Sequence, residues 1–198
     1  MCSSDLYAAW DELKAYHESG LWEIGSHLMH AHIESATEPD GAGIVYPLPN
    51  RIWLQEQNRR ETMREWTRRV RSEFEVSRAQ LEQRLELPPE TFMAVAYPYG
   101  DIGQEDRCNV AHLVNPIRLI NTEASRNFQL GFTLDNHGYT CTGDNLMMVR
   151  RYEPGWSEPA EEVVRHALEN HPVFMARRLR AEIAALMQKP YLAERQVE

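Results

Sequence analysis

The chain has little of several features that assign proteins to a class at once. Its three cysteines are too few and too scattered for a disulfide framework or a zinc knuckle, and nothing supports a Cys108–Cys141 disulfide. Basic residues are outnumbered: 21 Lys and Arg stand against 30 Asp and Glu, for a formal net charge of -9. Because phosphate groups are bound by basic surfaces, this balance argues against nucleic acid and anionic lipid as partners.

Long apolar runs are also missing. No run reaches the roughly 18 apolar residues that a membrane-spanning helix needs. No basic stretch followed by an apolar one opens the chain, so no signal peptide is recognisable in it. At 198 residues the chain is long enough for one domain with its own core and a smaller appendage.

The most informative stretch is a short apolar run followed by three histidines. Leu21 to Ile24 predicts a buried strand, which Gly25-Ser26 ends. His27, His30 and His32 follow within six residues. Neutral imidazole binds metal ions and carries protons near neutral pH, so a cluster at the end of a strand is a candidate site. Spacing alone leaves a metal site and a histidine-rich polar loop equally open, because two-histidine sites need a third ligand.

This stretch resembles a known motif. Glu23 to His27, followed by His32, is similar to the histidine motif of the polysaccharide deacetylases, the chitooligosaccharide-deacetylase-like carbohydrate esterases. Most of that family places three residues between its two metal histidines. The branch of exopolysaccharide (poly-N-acetylglucosamine) deacetylases places four, as this chain does. The family's second element, a strand ending in Pro-Tyr-Gly, is present as Phe92 to Gly100, and the resemblance covers roughly residues 7 to 152.

The resemblance implies a fold, a reaction and site residues. The expected fold is α/β, a partial (β/α) barrel of the polysaccharide-deacetylase type, in which strand C-termini face the active site. The implied reaction is the metal-dependent hydrolysis of N-acetyl groups on an amino-sugar polymer. His27 and His32 would bind a divalent metal, zinc or a similar ion, with His30 as an alternative ligand. The backbone amide of Tyr99 would stabilise the oxyanion. An N-acetylated polysaccharide is the implied partner, and an extracytoplasmic location is favoured.

The sequence departs from the family in two places. No Asp-Asp pair, which in the family supplies the base and a metal ligand, precedes His27. Ala96 stands where the family often has an arginine that orients the catalytic aspartate. We therefore expect an N-terminally truncated fragment that is inactive on its own. Residues 1–6 back-translate to the end of a common sequencing adapter, and we interpret them as an assembly artefact. The alternative function is a non-catalytic α/β module that binds glycan or protein.

Other segments before the second motif are predicted as follows. Residues 7–19 form a helix that Gly20 ends. Residues 33–50, rich in proline and glycine, form a long loop with an apolar anchor at Ile44 to Tyr46. Such a loop either covers a substrate groove or packs as a surface Ω-loop.

The longest predicted helix spans residues 55–86. One apolar stripe steps along it by three or four residues, and Pro88-Pro89 end it. The stripe consists of Met63, Trp66, Val70, Phe74, Ser77, Leu81 and Leu85. Arginines interleaved with glutamates cover the rest, which indicates a solvated face of ion pairs rather than a polyanion-binding strip.

Residues 101–150 give fewer clear predictions. Residues 101–126 hold Asp101, Asp106 and His112, which could enter the site, although polar surface is the better interpretation. Strands are predicted at 128–133 and 146–149, the second ending near Arg150, a weak candidate for the site.

Residues 153–198 are predicted as a helical extension. One helix begins near Ser157 and a second spans roughly 173–188. Residues 7–152 would then form the partial deacetylase domain.

Overall fold

The computed structural model of the protein describes residues 8–104, 108–134, 140, 143–151, 157–169, 176 and 179–180. The helices of these ranges are α1 (Trp10–Glu18), α2 (Met63–Leu85), α3 (Pro116–Ala124) and α4 (Ala160–Glu169). The strands are β1 (Trp53–Leu54), β2 (Arg59–Arg60), β3 (Ala94–Ala96), β4 (Leu130–Leu134) and β5 (Val149–Arg151). The protein therefore has the mixed α/β composition that the sequence predicts.

A parallel sheet in the order β3-β4-β5 positions the site. Val95 pairs with Gly131, and Phe132 pairs with Val149. On the other side of β3, Ser26 forms a single parallel bridge to Val95. The Ser26 N–H donates to Ala94 O (2.9 Å). Because the carboxyl ends of parallel strands meet at one edge of a sheet, the residues that follow Ser26 and β3 lie beside the carboxyl ends of β4 and β5 there.

The prediction of a buried strand at Leu21 to Ile24 is wrong. Leu21 is 84% exposed and Trp22 is 63% exposed, and only Ser26, two residues further on, pairs with the sheet. After Gly20 the chain stays on the surface beside α1, where the Trp22 ring lies 6.2 Å from that of Tyr16. A four-residue apolar run carries too little information to decide burial on its own.

The long helix is confirmed, but it begins eight residues later than predicted. Thr62 is its N-cap: Thr62 Oγ1 accepts from Glu65 N–H (3.2 Å), and the Glu65 carboxylate accepts from Thr62 N–H (2.7 Å). This capping box fixes the start of α2. The preceding polar residues form the β1–β2 hairpin instead, with Asn58 in the left-handed conformation at its turn.

The predicted apolar stripe of α2 forms the centre of the core. Trp66, Val70 and Phe74 are fully buried. The Phe74 ring makes edge contacts with those of Tyr97 and Phe128, each at 6.3 Å between centroids. This packing joins α2 to the sheet immediately below the turn that follows β3.

The interpretation of every arginine on α2 as part of a solvated face is wrong for two of them. Arg69 donates to Pro47 O (3.0 Å) and Asn50 O (2.7 Å) and pairs with buried Glu61 (2.8 Å). Arg78 is buried and donates to three loop carbonyls, those of Pro89, Thr91 and Asn127. Buried loop carbonyls need donors, and these guanidinium groups supply them.

The later segments are partly as predicted. The 128–133 strand is confirmed as β4, whereas residues 146–149 form a 3-10 turn at Leu146–Met148 before β5 begins. Helix α3, capped by Asn115, was not predicted.

Several sequence-based expectations lie outside the described residues. They concern residues 1–6, Asp106, Cys141 and nearly all of the helix predicted at 173–188. Cys108 is a free thiol that donates to Pro49 O (3.0 Å). In the ranges that the structure describes, no helix combines the length and apolar character needed to cross a membrane.

Candidate active site

A cavity of about 590 Å³ opens at the carboxyl edge of the sheet. Its walls come from the histidine segment, the 33–50 loop, the turn after β3 and the ends of β4 and β5. The polar and aromatic side chains that line it are His27, His32, Glu34, Tyr46, Asn50, Tyr99, Asp101 and Arg151. The structure thus brings the two predicted metal histidines and Tyr99 into one cavity.

His27 is oriented by the backbone of β3. Its Nδ1 lies 2.8 Å from Ala96 O, and because a carbonyl only accepts, Nδ1 carries the proton and Nε2 keeps its lone pair. Metal-binding histidines are commonly held by such a bond. Removal of water from around the ring lowers the pKa of His27, and His32 and Arg151 act in the same direction, while the bond to Ala96 opposes them. His27 is therefore neutral at pH 7, as a ligand must be.

His32 lies beside His27 at a separation suited to a shared ion. The ring centroids are 5.1 Å apart, with an angle of 57° between the planes. Two imidazoles on one tetrahedral zinc, with bonds of about 2.0–2.1 Å, have centroids roughly 5 Å apart. Tyr99 completes the group: its hydroxyl donates to His32 O (3.0 Å) and lies 3.3 Å from His32 Nδ1.

His27 and His32 provide some, but not all, of the ligands that a metal ion needs. Two imidazoles in a partly polar cavity are ligands that zinc accepts. Within the described ranges, however, no group of three His, Cys, Asp or Glu side chains is placed to hold an ion. The histidines therefore fit as two ligands of an incomplete coordination shell.

His30, the alternative ligand, is directed away from the cavity. Its Nδ1 lies 3.1 Å from Glu73 Oε1 on α2. The structure therefore separates His30 from His27 and His32, although it does not test which of them binds metal.

The turn after β3 contains Tyr99, the residue proposed from the sequence to stabilise the oxyanion. Tyr99 has a φ of 58°, in the left-handed region. Bonds from Gly100 N–H to Tyr97 O (2.9 Å) and from Asp101 N–H to Pro98 O (3.3 Å) close the turn. The Tyr99 N–H takes part in neither bond. A backbone donor held in a rigid turn at a cavity is the kind of group that stabilises an oxyanion.

The 33–50 loop forms a wall of this cavity through Ile44, Val45 and Tyr46. The Tyr46 ring stacks on that of Tyr99 at 3.7 Å and 12°. Helix α2 anchors this loop through Trp66, whose Nε1 donates to Leu48 O (3.1 Å). The anchor predicted at residues 44–46 is thus a cavity wall, which favours the groove-covering interpretation over a surface Ω-loop.

The remaining candidates divide between cavity and surface. Asp101 is buried and lines the cavity, whereas His112 is exposed and does not. Arg150 is exposed, and its neighbour Arg151 lines the cavity instead, because successive residues of a strand face opposite sides. The Arg151 Nε is buried and has no hydrogen-bond partner in the described part of the chain.

Sequence reasoning missed several site-forming residues, among them Arg151 and Glu73. The last strand was predicted to begin at residue 146, whereas β5 begins at Val149. The predicted strand therefore ended near Arg150, and Arg151 was not considered for the site. Glu73 carried a usable signal: it occupies the buried side of α2 next to Phe74, where a charged residue is unexpected unless it has partners.

The fold is similar to those of two solved deacetylases. The deacetylase domain of BpsB from Bordetella bronchiseptica matches with a TM-score of 0.58 and 22% identity, over 75% of this chain and 51% of that one. A de-N-acetylase from Aggregatibacter actinomycetemcomitans matches with a TM-score of 0.61 and 18% identity, over 82% and 54%. No protein-family model and no curated protein matches the chain. The chain spans about half the length of these two structures, and over that span it has a polysaccharide deacetylase-like fold.

Proposed function

We propose that the chain carries part of the active site of a metal-dependent polysaccharide N-deacetylase, and that its sheet is part of a (β/α) barrel. His27 and His32 would hold a divalent ion, zinc or a similar metal. The observation that supports this most directly is the pair of imidazoles, 5.1 Å apart, with His27 Nε2 left free by the bond to Ala96. When bound, the ion would polarise the N-acetyl carbonyl and lower the pKa of bound water.

The chain's own residues have separate roles in this proposal. His27 and His32 bind and orient the ion, and the bond from His27 Nδ1 to Ala96 O leaves the lone pair of His27 Nε2 available. The Tyr99 N–H donates to the acetyl oxygen as negative charge develops on it. Tyr46 and Ile44 form the wall against which the sugar ring would pack.

The 198-residue chain should itself be inactive. Hydrolysis needs a base to take a proton from water, and the family's Asp-Asp pair is absent from the sequence. Groups that act as a unit lose nearly all of their effect when one is missing. We expect no release of acetate from an N-acetylglucosamine polymer above a metal-free control. Clear zinc-dependent release would contradict this expectation.

Binding separates the deacetylase proposal from the alternative, a glycan- or protein-binding module without a metal. If the acetyl carbonyl is recognised through the ion, an N-acetylglucosamine oligomer should bind more tightly in the presence of zinc. The deacetylated oligomer, which lacks that carbonyl, is the matched control and should gain much less. Both affinities can be measured by calorimetry with and without zinc. Equal binding of the acetylated oligomer in both conditions would favour the module.

A further inference from the structure

The histidine segment contains a strained residue between its two proposed ligands. Leu28 has a φ of 63°, a conformation that a branched side chain rarely adopts. It directly follows His27, and it turns the chain so that His32 comes back beside His27. Strained residues persist only where the surrounding contacts hold them in place. Helix α2 contacts the residues on both sides of Leu28.

Two side chains of α2, one turn apart, contact this segment. Ser77 Oγ lies 2.9 Å from Ser26 Oγ in a buried contact, and Ser26 Oγ accepts from Leu28 N–H (3.0 Å). Glu73 Oε2 accepts from the backbone N–H groups of both Met29 (3.1 Å) and His30 (3.0 Å).

Glu73 is suited to this task by its burial and chemistry. Its side chain is 7% exposed, and its second oxygen, Oε1, accepts from His30 Nδ1. An ionised carboxylate only accepts hydrogen bonds, so it can satisfy several donors of an irregular loop at once. A buried carboxylate without such donors would be strongly unfavourable. The three contacts therefore account for a glutamate on the core side of α2.

We propose that Glu73 is a positioning residue for the metal site: it holds residues 28–30 in the conformation that brings His27 and His32 together. It does not contact the ion or the substrate. This inference rests on the proposed function for the role of the two histidines. The hydrogen bonds from Met29 and His30 to Glu73, however, are present in the metal-free chain, so they can be tested separately.

The first test follows amide hydrogen exchange of Met29 and His30 by NMR in the metal-free protein. Glu73→Ala should speed exchange at both amides while leaving β4 protected. Glu73→Gln keeps an oxygen acceptor and should stay close to the wild type. Glu75→Ala removes an exposed carboxylate from the same helix and should change neither amide. Unchanged exchange in Glu73→Ala would overturn the proposal, whether or not the protein binds zinc.

The second test measures zinc affinity in the same variants. Glu73→Ala should weaken it by about 10–100-fold, the usual cost of losing an outer support of a metal site. Adding Leu28→Gly should recover part of that loss, because glycine adopts a positive φ readily. A merely structural role would instead speed amide exchange in Glu73→Ala throughout the fold, β4 included. Wild-type protein that binds no zinc would refute the proposed function. Wild-type binding that Glu73→Ala leaves unchanged would refute only the positioning role.

Discussion

Replacing His32 with alanine should weaken zinc binding by about 100-fold or more. Loss of an outer-shell partner alone costs about 10–100-fold, and His32 is proposed to bind the ion directly. His27→Ala should have an effect of the same order, because a single remaining imidazole holds zinc poorly. Competition with a chromophoric chelator at pH 7 would measure the loss.

His30→Ala is the matched control for these two changes. It removes an imidazole from the same segment, but one that faces Glu73 instead of the cavity. The two backbone N–H bonds to Glu73 would remain, so only a small loss is expected. If His30→Ala proves more damaging than His32→Ala, the ligand assignment is wrong.

Replacing Gly100 with alanine should destabilise the protein by about 3 kcal/mol or more. Gly100 has a φ of 67°, and a Cβ there would overlap the backbone N and Cβ of Leu134 and lie 2.6 Å from its Cα. The clash is with the end of β4 itself, so it cannot be relieved by a rotamer change. The variant should therefore disturb the turn that carries Tyr99. Urea unfolding with linear extrapolation would give the change in the free energy of unfolding.

Gly41→Ala separates the two causes of that effect. Gly41 also has a positive φ, 82°, but a Cβ there meets nothing within 4 Å. Gly41→Ala should lower the free energy of unfolding only by the cost of holding an alanine at a positive φ, about 1–2 kcal/mol. Equal losses at Gly41 and Gly100 would mean that the turn does not approach β4 as closely as the structure has it.

What the sequence predicted well was local. The turn at Pro98–Gly100 and the apolar stripe of α2 depend on residues close in the chain, and both are present. The proximity of His27, His32 and Tyr99 was also expected from the two motifs, although a single bridge at Ser26, and not a strand at residues 21–24, places the histidine segment beside β3.

What the sequence could not give depends on contacts distant in the chain. Leu21 and Trp22 look like strand residues by hydropathy, yet both are largely exposed in the structure. Arg69 points inward because it donates hydrogen bonds to the carbonyls of a loop some twenty residues away. The role of Glu73 likewise depends on two amides more than forty residues earlier. Hydrophobic periodicity records which face of a helix is buried, but not which polar groups meet there.

The most direct test of the shared metal site is an anomalous difference map from a zinc-soaked crystal of this chain, collected at the zinc absorption edge. The expected result is one peak within about 2.0–2.1 Å of a ring nitrogen of both His27 and His32, with His27 bonded through Nε2. Zinc bound at His30 and Glu73 instead, or no peak between His27 and His32 at saturating zinc, would contradict the account.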